Sequence, residues 1–107
     1  MRRFGQIIKV RQEHFETYKA YHAKVWPEIL EMIKKCNISN YSIYHKDGFL
    51  FAYMEYSGND FAADMARMAA DPKTQEWWAA MEPMQKPLET RKKGEWWANM
   101  EEVFHLD

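Results

Sequence analysis

There is one cysteine, Cys36, in the 107 residues, so no disulfide can form within the chain. A lone thiol fits a reducing compartment. Long apolar runs are missing too: nothing approaches the roughly 20 consecutive apolar residues that a membrane-spanning helix needs. The start, Met1-Arg2-Arg3-Phe4-Gly5-Gln6, is basic, but no apolar core follows it as a secretory signal requires. The expected setting is therefore the cytoplasm, with no membrane partner. Charge of one sign is also scarce. The 15 basic and 16 acidic residues leave a net charge of −1, and so no clustered positive excess for a nucleic acid. His14, His22, His45 and His105 are too irregularly spaced to read as metal ligands, no glycine-rich phosphate loop occurs, and no segment repeats. No metal is expected.

What the chain does have is aromatic mass: Phe, Trp and Tyr make up 16% of it, within a 47% hydrophobic total. Aromatic-rich surfaces suit subunit interfaces and sugar pockets alike. The length suits one domain, residues 1–107, with a real but small core. The sequence is organised around the stretch from Phe15 to Ile29. At about 100° per residue, Tyr18, His22, Val25, Ile29, Met32 and Cys36 share one helical stripe, flanked by Phe15 and Ile33. Lys19, Ala23, Glu31 and Lys34 lie toward the opposite side. His22 therefore points inward, one turn from Tyr18. Spacing alone is satisfied by a hydrogen-bonded core histidine beside a core tyrosine. The alternative is a general acid/base in a pocket, which suits an imidazole with a free pKa of about 6.5.

Arg3–Val10 alternates as a strand, with Phe4, Gln6, Ile8 and Val10 on one face. Gln12-Glu13 opens a helix with an acidic first turn. A proline inside a helix costs about 3 kcal/mol, so Pro27 predicts a kink or restart at Trp26-Pro27. Tyr41–His45 and Phe49–Tyr56 read as a hairpin joined through Lys46-Asp47-Gly48, where Asp-Gly supplies the positive φ of a tight turn. Asn59 or Asp60 caps a second helix. Asp71-Pro72 starts another, as cap and first-turn proline, and this helix carries Trp77, Trp78 and Met81 until Pro83 ends it. Pro83–Gly94 reads as a long surface loop and Asn99–Leu106 as the last strand. This order predicts an α+β fold, a four-stranded antiparallel sheet with helices on one face. The return strand is apolar on both sides, with Phe49, Phe51 and Tyr53 on one and Leu50, Ala52 and Met54 on the other. No helix is left for the second side, so another copy of the sheet is expected to cover it in a two-fold homodimer.

The residues around His22 also carry a resemblance. Tyr18 and His22 followed by Val25-Trp26-Pro27-Glu28, then Asn40-Tyr41-Ser42-Ile43-Tyr44, Trp77-Trp78 and Glu102-Val103-Phe104-His105-Leu106, resemble the L-rhamnose mutarotase family in order and over nearly the whole chain. The resemblance implies a ferredoxin-like fold that pairs into a dimeric α/β barrel. It implies an isomerase of the aldose 1-epimerase type, which interconverts the α and β anomers of L-rhamnose or a closely related 6-deoxyhexose such as L-fucose. It implies no cofactor. It assigns His22 as proton donor, and Tyr18, Tyr41, Trp77 and Trp78 as sugar-contacting residues. The chain departs from the family's bacterial members between Pro83 and Glu101, most visibly in the segment from Lys86 to Trp97, and so does whatever pocket wall that segment forms.

Mutarotation opens the sugar ring: an acid protonates the ring oxygen while the anomeric hydroxyl loses its proton, and the open aldehyde rotates and recloses. One imidazole suits the acid step and its reverse. Tyr18 can bond a sugar hydroxyl or orient the imidazole, and Tyr41 can supply another such group. A tryptophan face can cover the C–H side and methyl group of a deoxysugar. Adjacent helix residues point about 100° apart, so at most one of Trp77 and Trp78 faces the sugar squarely. Glu102 is either a second acid/base group or an exposed edge carboxylate. Two other readings fit the same fold. One is a cofactor-free or haem-degrading monooxygenase of the dimeric α/β-barrel type, whose haem-binding version would show visible absorbance on haemin titration. The other is a non-catalytic small-molecule-binding module, which would bind a sugar and leave anomer exchange unchanged.

Overall fold

The computed structural model describes all residues 1–107. The sheet is assembled on β1 (Arg2–Val10). Along one edge β1 pairs antiparallel with β3 (Phe49–Tyr56), from Arg2 opposite Tyr56 to Lys9 opposite Phe49. β3 in turn pairs with β2 (Ile38–Lys46). The other edge of β1 is shared by two short strands. β4 (Gln85–Lys86) lies opposite Val10 and Lys9, and β5 (Ala98–Met100) lies opposite Ile7, Gln6 and Gly5. The fold is α+β with an antiparallel sheet, as expected, except that its fourth position is divided between β4 and β5.

The pairing register decides what is buried. Residues directly opposite each other share a face, so Phe4 lines up with Met54, Ile8 with Leu50 and Val10 with Gln85. Four helices supply the other half of the core: α1 (Phe15–Ala23), α2 (Pro27–Lys35), α3 (Phe61–Ala70) and α4 (Pro72–Met81). Tyr18 of α1, Ile29 of α2, and Trp77 and Met81 of α4 close over Ile8, Val10 and Leu50. Phe61, Met65 and Met68 of α3 pack a smaller cluster around Met54 and Tyr56. The opposite sheet face has no helix, and Tyr44, Tyr53 and Met100 are exposed on it. That uncovered face is why only 16 of 107 residues are buried.

The proline break occurs where expected. Trp26 is extended (φ −58°, ψ 134°) and Pro27 opens α2 at its first turn, where a missing N–H costs nothing. The apolar stripe continues across the break: Tyr18, Ile29 and Cys36 are buried, and His22, Val25 and Met32 are partly so. The first helix starts later than Gln12, because Gln12–His14 forms a single 3₁₀ turn and α1 begins at Phe15. At the hairpin, Asp47 (φ 52°) and Gly48 (φ 83°) are both left-handed, the pair of angles that matches strand twist in a two-residue turn. Asp60 caps α3 by accepting from the Ala63 amide at 3.1 Å. Asp71 caps α4, accepting from the Thr74 amide and hydroxyl, each at 2.9 Å.

The C-terminal third corrects two expectations. Pro83–Gly94 is not a plain surface loop: Glu82–Met84 forms a 3₁₀ turn, β4 follows, and Met84 and Gln85 are buried. The last strand ends at Met100 rather than running to Leu106. The cause is length. β5 meets β1 with Met100 opposite Gly5, so an antiparallel continuation runs past the start of β1 within a few residues. Glu102 still reaches Arg3 through two 2.9 Å bonds, and the segment from 103 to 107 is exposed without regular structure.

Candidate active site

A cleft of about 560 Å³ opens between the α1–α2 region and β2. Its size lies within the usual range for small-molecule sites, roughly 300–1,000 Å³. Ile29 and Ile33 of α2 and Ile43 of β2 give it apolar walls, and His22, Asn40, Tyr41 and Trp77 give it polar and aromatic ones. A second concavity of about 400 Å³ lies by the hairpin tip, lined largely by charged side chains such as Lys9, Arg11 and Lys86. It holds no imidazole or phenol, so the aromatic cleft is the candidate site. No three His, Cys, Asp or Glu side chains converge anywhere in the chain.

His22 sits in the last turn of α1, and three contacts fix its ring. Nδ1 lies 2.8 Å from the Tyr18 backbone carbonyl oxygen. A carbonyl only accepts, so Nδ1 must carry the proton of that bond. Nε2 is left as the working nitrogen, a lone pair in neutral imidazole and a donor in imidazolium. The Tyr18 ring stacks on the imidazole at 4.4 Å, and Trp77 meets it edge-on at 5.4 Å. Trp77 is itself wedged edge-on against Tyr21 and Trp26. The restart at Trp26-Pro27 thus does more than bend the chain: it turns Trp26 onto the tryptophan that braces His22.

Tyr18 is buried beneath His22 and is not part of the cleft wall. Its hydroxyl oxygen accepts from Gln85 Nε2 at 3.0 Å, and Gln85 Oε1 accepts from Trp96 Nε1 at 2.8 Å. Burial pushes the Tyr18 phenol up to about 12; the Gln85 bond pulls back, and the nearby Tyr41 phenol pushes further in the same direction. Tyr41 reaches the cleft through a bulge in β2. Ser39 pairs with Glu55 and Ser42 with Tyr53, so Asn40 and Tyr41 together oppose the single residue Met54. Asn40 takes a left-handed φ of 48° there and donates to Glu55 at 2.6 Å, anchoring the bulge. Tyr41 keeps 41% of its surface exposed, yet burial of its phenol raises its pKa.

The structure therefore brings His22, Tyr18, Tyr41 and Trp77 together. Trp78, the next residue on α4, points elsewhere and is 40% exposed against 7% for Trp77. Glu102 is engaged by Arg3, which holds its carboxyl below the usual range, and it lies outside the cleft. Neither spacing nor motif in the sequence singles out Gln85 or Trp96 as part of the site. Two adjacent tryptophans, Trp96-Trp97, in an otherwise polar segment were the available signal. The buried glutamine offered none.

Comparison with known proteins follows the same lines. A family model described as L-rhamnose mutarotase matches residues 3–106. An L-rhamnose mutarotase of Ligilactobacillus salivarius is 36% identical over 98% of this chain and 97% of its own length. Another, from Bacillus subtilis, is 33% identical over 100% of both chains. Among solved structures, an L-rhamnose mutarotase from Formosa agariphila superposes with a TM-score of 0.78 at 23% identity, covering 100% of both chains. The tetracenomycin F2 cyclase of Streptomyces glaucescens, a type-II polyketide cyclase, superposes with a TM-score of 0.75 at 11% identity over 100% of this chain and 98% of its own. At such identities the two superpositions show the fold alone, and the cyclase illustrates that this fold serves more than one chemistry.

Proposed function

The chain belongs to the L-rhamnose mutarotase family, and from that premise we propose that it interconverts the α and β anomers of L-rhamnose with His22 as the proton donor. The observation that carries the assignment is the Nδ1 bond of His22 to the Tyr18 carbonyl, which leaves Nε2 as the one imidazole nitrogen free to exchange a proton in an apolar-walled cleft. In the protonated state Nε2–H gives its proton to the ring oxygen as the ring C–O bond breaks. The anomeric hydroxyl loses its proton to form the aldehyde, and solvent takes that proton, since no carboxylate lines the cleft. Rotation about the first carbon–carbon bond presents the other face; on reclosure the attacking hydroxyl returns its proton to Nε2 and solvent returns one to the aldehyde oxygen, which becomes the new anomeric hydroxyl. General acid–base assistance of this kind contributes about 10²–10⁴ in rate.

The other roles follow from placement. The Tyr41 phenol at the cleft wall donates a hydrogen bond to a sugar oxygen, and Tyr18, buried behind the wall, orients the imidazole through its carbonyl and its stacked ring. Trp77 covers the C–H face of the sugar and its methyl group. Trp78, turned about 100° round the helix, is left for the solvent-facing end of the sugar. No helix of the chain is long and apolar enough to cross a membrane, and the cytoplasm is the proposed setting. The 107 residues act as one mutarotase-like domain, paired as a homodimer through the bare sheet face. What supports pairing is the apolar surface otherwise left in water: Tyr44, Tyr53 and Met100 on that face, and Val103, Phe104 and Leu106 beyond β5. Saturation-transfer NMR on equilibrated L-rhamnose and L-fucose tests the activity. Enzyme-dependent exchange between the anomer signals is expected, greater for L-rhamnose; exchange at the buffer rate for both sugars would refute it.

A further inference from the structure

The bulge that carries Tyr41 is held by one carboxylate. Glu55 of β3 accepts from Asn40 Nδ2 at 2.6 Å through one oxygen and from the Tyr53 hydroxyl at 2.7 Å through the other. The direction of both bonds is fixed by chemistry. An ionised carboxylate only accepts, so the amide must present its NH₂ and the phenol its proton. These bonds, that from Asn40 foremost, hold the Glu55 carboxyl below its usual range, so it stays ionised at neutral pH. Glu55 lies opposite Arg3 on β1, but Arg3 spends its two bonds on Glu102, which leaves Glu55 to the bulge. Glu55 and Tyr53 are two residues apart on β3 and share the sheet face that no helix covers. Asn40 reaches Glu55 on that face, and Tyr41, the next residue, stands in the wall of the cleft.

Resting on the mutarotase reading, we propose that Glu55, bonded to Asn40 and Tyr53, is the positioning residue for Tyr41: it pins the bulge from the bare side of the sheet, so that the phenol is presented to a sugar oxygen in the cleft. Asn40 and Tyr41 share the single opposite residue Met54, so regular strand pairing does not fix their place. Asn40 also has a left-handed φ of 48°, which few side chains tolerate and which the Glu55 bond helps to hold. Glu55 acts through Tyr41 and touches no substrate.

The Asn40–Glu55 bond can be broken and then remade in the reverse direction. Asn40→Asp keeps the left-handed backbone accessible but sets two carboxylates face to face. Adding Glu55→Gln remakes the bond, with the glutamine NH₂ donating to the aspartate and the amide oxygen still accepting from Tyr53. Calorimetric titration with L-rhamnose is expected to show affinity weakened about threefold to tenfold in Asn40→Asp and in Glu55→Ala, and restored to within about twofold in the Asn40→Asp/Glu55→Gln double variant. By saturation-transfer NMR, kcat is expected to change less than affinity, because the Tyr41 bond holds the sugar in ground state and transition state alike. In a Tyr41→Phe background none of these changes is expected to weaken binding further. A bond that serves stability alone gives a lower melting temperature with unchanged affinity in the folded protein, and that result would overturn the proposal. So would a loss that persists in the Tyr41→Phe background, or one that the double variant fails to restore. Should Asn40→Asp fail to fold, Glu55→Ala in the two backgrounds decides in the same way. Unaltered protein that neither binds L-rhamnose nor exchanges its anomers is a different result: it overturns the mutarotase reading, and this role with it.

Discussion

The bond from His22 Nδ1 to the Tyr18 carbonyl decides which imidazole nitrogen is free, and stacking and edge contacts decide where it points. A residue one turn back thus serves twice, through its carbonyl and through its ring. Tyr18 carries a prediction of its own. An unfolded tyrosine titrates near 10, and the folded value is higher, about 12. The stability held in the neutral phenol is therefore intact below pH 10 and is lost as pH rises toward about 12. Tyr41, Tyr53 and Tyr56 are raised as well, so the contrast with Tyr18→Phe isolates the one residue. The unaltered protein should lose melting temperature more steeply than Tyr18→Phe in that window, by thermal unfolding; parallel curves would contradict it. The tryptophan pair separates on the same scale. Trp77→Phe keeps an aromatic in the core and is expected to weaken sugar affinity by about threefold to tenfold, and Trp78→Phe by less. Calorimetric titration with L-rhamnose measures both, and a larger loss at Trp78 would reverse their assignment.

Between residue and molecule, the working parts are the interruptions in regular elements. The break at Trp26-Pro27 turns Trp26 onto Trp77, and the bulge at Asn40-Tyr41 brings a strand tyrosine to the cleft. The Asp71 cap begins the helix that carries Trp77. Asp71→Ala removes the acceptor for both the amide and the hydroxyl of Thr74. It should cost about 1–2 kcal/mol in denaturant unfolding, with sugar binding retained in the protein that stays folded. These elements differ in how plainly the sequence announces them. Proline at 27, Asp-Gly at 47–48 and Asp-Pro at 71–72 act through local backbone chemistry, so each could be read directly. The stripe carrying His22 was legible because burial follows helical period. The bulge and the Gln85 bridge were not, since both depend on which residue lies opposite in the folded sheet. The alternation of the last strand continues past the point where β1 ends to pair with it, so pattern alone predicts a longer strand than forms.

At the scale of the whole molecule, the sheet has one face covered by helices and one that is bare, and the family's name fits an enzyme whose cleft opens on the covered side. Light scattering at micromolar concentration should give about twice the 12.9 kDa of one chain; a monomer would contradict the proposed pairing. The central claim is that the fold exists to hold one imidazole nitrogen against a sugar ring oxygen. His22→Gln tests it most directly, because glutamine keeps much of the volume and a hydrogen bond yet cannot shuttle a proton. On protein verified as folded and in its native oligomeric state, saturation-transfer NMR of L-rhamnose should show exchange slowed by about 10²–10⁴, with affinity within roughly tenfold of the unaltered protein. Undiminished exchange in a stably folded His22→Gln protein would contradict the account.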